Sequence, residues 1–134
     1  FDAQAGPMHH HHRSLLAVLL TCCGAVAQLS AQNLVNTRKT EVHLLCHWRP
    51  GTECPGDVLK ETAVIYTVPA DSAIVPMRPG GGDRWVLNRV EVCCDARCLV
   101  RSEAIVTCST SNDKGKCGKE PVRLIREERR YTVE

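Results

Sequence analysis

The sequence is poor in aromatic residues, and it has no apolar run long enough to cross a membrane. It contains one Phe, two Tyr and two Trp among 134 residues, so only a thin core can be built from it. Its longest apolar stretch, residues 15–26, is about a dozen residues long, whereas a membrane-spanning helix needs roughly 20. We therefore expect no membrane insertion.

Low net charge, the lack of a glycosylation sequon and the few histidines narrow the range of possible functions. The formal net charge of +2 is too small to indicate a nucleic acid partner. No Asn-x-Ser/Thr sequon occurs, so N-glycosylation is not expected. His43 and His47 flank Cys46, but they would share one face only in a helix, which nearby Pro50 disfavours. We expect no catalytic site, no metal and no cofactor, and hence no enzyme.

The N-terminus has the pattern of a secretory signal peptide. Met8 is followed by histidines 9–12, Arg13 and the apolar run, which ends in the small-x-small site Ala25-Val26-Ala27. This pattern predicts cleavage before Gln28, with Ala31 as a second candidate site. Residues 1–7 precede Met8 and are interpreted as upstream sequence. We thus assign residues 1–27 to upstream sequence plus signal peptide, and we expect a secreted, extracellular protein.

Roughly 105 residues remain, enough for one small domain. Residues 28–40 are polar and are predicted to form a flexible N-terminal arm before a disulfide-rich β domain at 41–134. Residues 41–48 could be a strand or a helical turn. Strands are predicted at 61–68, 85–92, 103–108 and 121–125, with an incomplete fifth at 129–134. Proline, glycine and polar residues predict long loops at 69–83 and 109–120. The predicted fold class is mostly β, a small disulfide-rich antiparallel protein.

Cysteine is plentiful where aromatic residues are scarce. Seven cysteines follow the signal peptide and are predicted to form disulfides: Cys46, Cys54, Cys93, Cys94, Cys98, Cys108 and Cys117. Cys93 and Cys94 cannot easily bridge to each other, so they predict a junction between separate parts of the fold. A Cys108–Cys117 bridge would close the polar loop. The odd count leaves three options: a buried free thiol, a chain cut before its last cysteine, or an intermolecular disulfide in a homodimer.

A basic cluster near the C-terminus is the most suggestive surface feature. It comprises Arg123, Arg126, Arg129 and Arg130. It can be interpreted as a solvated edge strand protected by charge, as a site for sulfated glycans, or as a dibasic processing site. We treat these arginines as candidate partner-binding residues.

Residues 83–127 resemble the interleukin-17 cytokines. Asp83-Arg84-Trp85 stands where that family has an Arg-aromatic turn, Glu91 with Cys93, Cys94 and Cys98 resembles its cysteine cluster, and residues 121–127 resemble its later strand. Val86 replaces the expected proline, and the terminal Cys-x-Cys is absent. The resemblance implies a cystine-knot-like homodimer that engages a cell-surface receptor, and it adds Trp85 to the candidate partner-binding residues.

These observations favour a secreted, non-enzymatic, cytokine-like ligand that acts by binding a cell-surface receptor. The alternative is a secreted inhibitor or toxin-like effector whose loops, residues 69–83 above all, occupy a target protein. Small disulfide-stabilised scaffolds serve both uses. Disulfide connectivity and the identity of the partner stay open at this point.

Overall fold

Two β-sheets enclose the main core in the part of the chain that the structure describes, and a small second cluster consists of Leu45, Cys93 and Cys98. The computed structural model describes residues 32–51, 60–81 and 84–134. In these ranges the strands are β1 (Asn33–Asn36), β2 (Val42–Pro50), β3 (Thr62–Val68), β4 (Ser72–Ile74), β5 (Trp85–Cys93), β6 (Arg101–Thr107), β7 (Asn112–Cys117), β8 (Glu120–Glu127) and β9 (Arg130–Val133). A short 3-10 turn at Pro79–Gly81 interrupts them, and none of the described residues forms an α-helix. The predicted mostly β class is confirmed.

The sheets are built mainly from antiparallel pairs. The first sheet has the order β4-β1-β9-β8-β7, and the second has the order β3-β2-β5-β6. The β1–β9 pair is parallel and brings the start of the described domain against its end. Our estimate of four or five strands was too low. No described helix is long and apolar enough to cross a bilayer.

Alternation along β2 shows how the sequence builds the core. Val42, Leu44, Cys46 and Trp48 point inward and are buried, because side chains alternate between the two faces of a strand. Trp48 is fully buried, and its indole Nε1 donates to the Tyr66 hydroxyl at 2.9 Å. Both sheets contribute to this core: Leu34, Leu124 and Val133 from the first, and Leu87, Val90 and Val106 from the second. Residues 41–48 are thus strand and not helical turn.

The predicted flexible arm is wrong where its described part forms a strand. Asn33–Asn36 is strand β1, paired with both β4 and β9. The buried Asn36 amide nitrogen lies 2.9 Å from the Thr40 carbonyl oxygen and 3.1 Å from that of Val68. Val68 ends β3 of the second sheet, so Asn36 connects the two sheets. Residues 28–31 of the arm lie outside the described residues.

The two predicted loops also contain strands. The segment 69–83 includes β4 and the turn at Pro79–Gly81, while residues 82 and 83 lie outside the described residues. The segment 109–120 includes β7, which pairs with β8 along its whole length. The strands predicted at 61–68, 85–92, 103–108, 121–125 and 129–134 correspond to β3, β5, β6, β8 and β9.

The disulfides differ in part from those predicted. Cys93 bonds to Cys98 and Cys94 bonds to Cys117, so the two adjacent cysteines do take separate partners. The Cys108–Cys117 pairing was wrong, although Cys108 is also disulfide-bonded. Cys46 is a free thiol inside the core, which corrects its assignment as a disulfide half. Cys54 lies outside the described residues.

Candidate functional site

The loop between β5 and β6, residues 94–100, is held by two disulfides. The Cys93–Cys98 bond closes a small ring across it, with Cα atoms 4.8 Å apart. The Cys94–Cys117 bond ties its start to the last residue of β7, in the other sheet. We call residues 94–100 the stapled loop.

Asp95 organises the backbone inside the stapled loop. Its carboxylate accepts hydrogen bonds from the backbone N–H groups of Val100 at 2.8 Å, Arg97 at 2.9 Å and Leu99 at 3.2 Å. These bonds, led by those from Val100 and Leu99, lower the pKa of the exposed Asp95 carboxyl group. The Cys94 N–H also donates to the Val100 carbonyl at 2.8 Å, which closes the base of the loop.

The stapled loop presents two apolar side chains to solvent. Leu99 is 79% exposed and Val100 is 59% exposed, although both follow a buried disulfide. Arg97 on the same loop is exposed, and Arg101 follows directly at the start of β6. Exposed apolar residues on a fixed loop are typical of a protein-binding surface, since binding them orders little that was not ordered before.

A buried charge cluster lies on the outer face of the second sheet, away from the core. His47 Nε2 is 2.6 Å from Glu91 Oε2, and His47 Nδ1 is 3.6 Å from Glu61 Oε1. Each carboxylate has its own arginine: Arg101 lies 3.2 Å from Glu91, and Arg89 lies 3.2 Å from Glu61. The side chains of His47, Glu61 and Glu91 are less than a tenth exposed.

The members of this cluster contact one another within the second sheet. In the described ranges, both ring nitrogens of His47 face carboxylates and neither faces a hydroxyl or thiol nucleophile. No group of three or more potential ligands suited to a metal ion occurs among the described residues. Ion pairs that satisfy one another in this way hold β2, β3 and β5 in register.

The expectation that His43 and His47 share one face only in a helix is wrong. Residues i and i+4 share a face in a strand as they do in a helix, because strand side chains alternate with a period of two. His43 and His47 therefore both lie on the outer face of β2, roughly 13 Å apart at 3.3 Å per residue. His43 contacts Thr67 Oγ1 at 2.9 Å and takes no part in the charge cluster.

The structure separates the predicted partner-binding arginines. Arg126 is half-buried, and its Nε donates to the Thr110 carbonyl at 2.7 Å. Arg130 pairs with Glu127 at 3.1 Å, and Arg129 lies exposed in the turn between β8 and β9. Their strands β8 and β9 are interior strands of the first sheet, so the edge-protection interpretation was wrong.

Trp85 and Arg123, the other two predicted partner-binding residues, differ in burial. Trp85 is half-buried and packs against the core, and its role in partner binding stays a prediction. Arg123 is exposed on the outer face of β8, directly opposite Lys114 of β7. The sequence-based prediction missed Lys114 and Lys116 because they fell in a segment assigned as loop. The alternation of Lys114 and Lys116 with Gly115 and Cys117 was the sequence signal that could have revealed them.

Comparison with known proteins yields no relative: no family model, no curated protein and no solved structure matches this chain.

Proposed function

We propose that this protein is a secreted, non-enzymatic ligand that acts by binding a cell-surface receptor, and that it binds through the stapled loop. The observation that carries the proposal is the exposure of Leu99 and Val100 on a loop held by two disulfides. A segment held so firmly is not needed merely to connect β5 to β6, because short turns connect antiparallel strands without staples.

Secretion is supported by two independent features. The N-terminal sequence has the order of a signal peptide, and disulfide bonds persist mainly in oxidising compartments. An extracellular location puts the stapled loop in contact with cell surfaces and with other secreted proteins.

The chemistry of the loop indicates what a partner must offer. Leu99 and Val100 need an apolar pocket, and Arg97 beside them favours carboxylates at its rim. Burying Leu and Val side chains contributes about 1.5–3 kcal/mol each, enough for a measurable affinity when the loop is already ordered.

A second candidate function is a secreted inhibitor that inserts the same loop into a target protein. The position of Cys46 favours it, because the seventh thiol lies in the core and is not available to link two chains. A loop-based inhibitor can act as a monomer, whereas the cystine-knot-like homodimer implied by the interleukin-17 resemblance needs a second chain. That resemblance stays a hypothesis based on the sequence.

The proposal is tested by competition for cell-surface binding. Labelled protein should bind responsive cells saturably, and unlabelled protein carrying Leu99→Ser and Val100→Ser should compete roughly 150-fold less well, which corresponds to about 3 kcal/mol. The matched control is Val75→Ser with Met77→Ser, two apolar residues exposed elsewhere at 65% and 81%. Its competition should be unchanged.

Three outcomes can be told apart. Loss of binding after protease treatment of the cells supports a protein receptor. Binding to a purified soluble target, again reduced by the loop variant, supports the inhibitor function. Equal competition by the loop variant and the control variant contradicts both functions.

A further inference from the structure

The hairpin formed by β7 and β8 collects positive charge on its outer face. Lys114 lies directly opposite Arg123 in the ladder, and Lys116 is two residues further along β7 on the same side. All three side chains are exposed. We call Lys114, Lys116 and Arg123 the basic face. It belongs to the first sheet, whereas the stapled loop connects two strands of the second.

The charge of the basic face is not neutralised by the described residues. No carboxylate in these ranges lies within salt-bridge distance of any of its three members. Glu120, at the start of β8, is paired with Arg38. The neighbouring acidic residue is Glu134, whose backbone bonds to that of Arg123, and it forms no salt bridge with the Arg123 side chain.

This arrangement opposes the stability of the hairpin. Like charges directly opposite each other destabilise an antiparallel pair. Charge on an edge strand protects it from pairing with another chain, which could explain the lysines of β7 alone. It does not explain Arg123, because β8 lies inside the sheet between β9 and β7.

The basic face is also held rigidly. Gly115, between the two lysines, lies so close to β6 that a Cβ atom there would be 1.9 Å from the Ser102 carbonyl oxygen. Cys117 anchors the end of β7 through its bond to Cys94. The Cβ atoms of these three residues thus keep spacings of about 5 Å across the strands and about 7 Å along them.

We propose that the basic face binds sulfated glycans. Several cations carried at these spacings on an ordered hairpin are complementary to a chain with repeated anionic groups. They match a single small anion less well. Exposed ammonium and guanidinium groups make charge-assisted hydrogen bonds to sulfate oxygens. In an extracellular protein, the polyanions that meet such a surface are the sulfated polysaccharides of cells and matrix. This site is separate from the receptor-binding loop and would concentrate the ligand near cell surfaces.

The test measures heparin affinity of the full chain as a function of salt concentration. The variant Lys114→Ala with Lys116→Ala should bind heparin at least about tenfold more weakly at physiological salt, with a salt dependence shallower by about two ion contacts. The control is Lys60→Ala with Arg84→Ala, two exposed cations that lie shortly before β3 and β5 of the second sheet. It makes the same change in net charge, and it should bind as the unsubstituted protein does.

Several results would overturn the proposal. One is an equal loss of affinity in both double variants, which would show a net-charge effect. Another is binding to unsulfated hyaluronan, or to DNA, as tight as binding to heparin, which would show that sulfate is not recognised. A third is failure of the unsubstituted protein to bind heparin at physiological salt. Thermal unfolding of each variant checks that the fold is intact, which is expected because all four substituted residues are exposed.

Discussion

At the scale of single residues, burial decides what the odd cysteine can do. Cys46 is fully buried among the core residues of β2, and desolvation raises the pKa of its thiol. The thiolate is the reactive form of cysteine, so the folded protein should not form an intermolecular disulfide through this residue. A dimer, which stays a prediction from the sequence, would therefore have to be held by surface packing or by another cysteine.

Alkylation measures this protection directly. At pH 8 without reductant, the peptide that contains Cys46 should remain unmodified by iodoacetamide in the native protein and become fully modified in denaturant. The reason is that both the raised pKa and the lack of access disappear on unfolding. Rapid modification in the native state would show that Cys46 is reachable and that the core is open there.

Asp95 gives a prediction for pH. Its folded pKa lies below the ordinary value of 3.8, so its contribution to loop stability is present above that value and is lost as the pH falls through the lower folded pKa. The amide resonances of Leu99 and Val100 should report this titration by NMR, with a midpoint below 3.8. In the Asp95→Ala variant these amides should exchange faster with solvent while the core amides do not. A midpoint at or above 3.8 would contradict the hydrogen-bonded geometry.

His47 separates a structural role from a catalytic one. Replacing it with Ala removes a side-chain contact from each of the buried residues Glu61 and Glu91, so the free energy of unfolding should fall by about 3 kcal/mol. The matched variant His43→Ala removes a more exposed imidazole and should cost less than about 1 kcal/mol. Urea denaturation gives both values. Receptor competition by folded His47→Ala protein should be unchanged, and a selective loss of function without loss of stability would point to a catalytic residue.

At the scale of strands and loops, a strand could be predicted when its own residues favour it. A strand stabilised mainly by contacts with other segments could not. β3 and β5 are rich in β-branched residues and were found from composition. β7 has the sequence NDKGKC, which is poor in strand formers, and is held by its pairing with β8, its disulfide and its packing against β6. β1 is four residues long, and one of its partners, β9, is distant in sequence.

The candidate site was predictable only in part for the same reason. The sequence supplied the cysteines but not their connectivity, which cannot be deduced from spacing alone. Without the Cys93–Cys98 and Cys94–Cys117 pairs, Leu99 and Val100 look like ordinary residues before a strand. The arginine cluster was chosen as a candidate site from composition alone. The strand register decides which charged residues lie side by side, and it places Arg123 beside lysines of β7.

Gly115 tests the close contact of β6 and β7. A Cβ atom there would meet the backbone of Ser102, which cannot rotate away as a side chain would, so Gly115→Ala should cost about 2 kcal/mol or more. Gly118→Ala is the control: it has open space but a positive φ of 64°, and it should cost about 1 kcal/mol. Urea denaturation shows which of the two variants loses more unfolding free energy. Equal costs would mean that the backbones are not as close as the structure has them.

At the scale of the whole described domain, the two sheets are joined on opposite sides of the core by different means. On one side, Asn36 of the first sheet donates to the backbone at the end of β3. On the other, Asp113 accepts from the Ile105 N–H at 3.0 Å, and the Cys94–Cys117 bond crosses between the sheets. The stapled loop lies beside that second junction, so its order depends on how the sheets are joined.

The two described disulfides should therefore differ in what their removal does. Cys94→Ser with Cys117→Ser opens a loop of sequence separation 23 and should cost about 3 kcal/mol of unfolding free energy, whereas Cys93→Ser with Cys98→Ser, of separation 5, should cost about 2 kcal/mol. The smaller ring lies within the binding loop, so its removal should free Leu99 and Val100 and weaken receptor competition by more than its effect on stability suggests. Denaturation ranks the two double variants by stability, and competition ranks them by receptor binding. The variant lacking Cys94–Cys117 could instead be the weaker competitor while its fold stays intact. That result would show that the bond between the sheets, and not the small ring, determines the conformation of the binding loop.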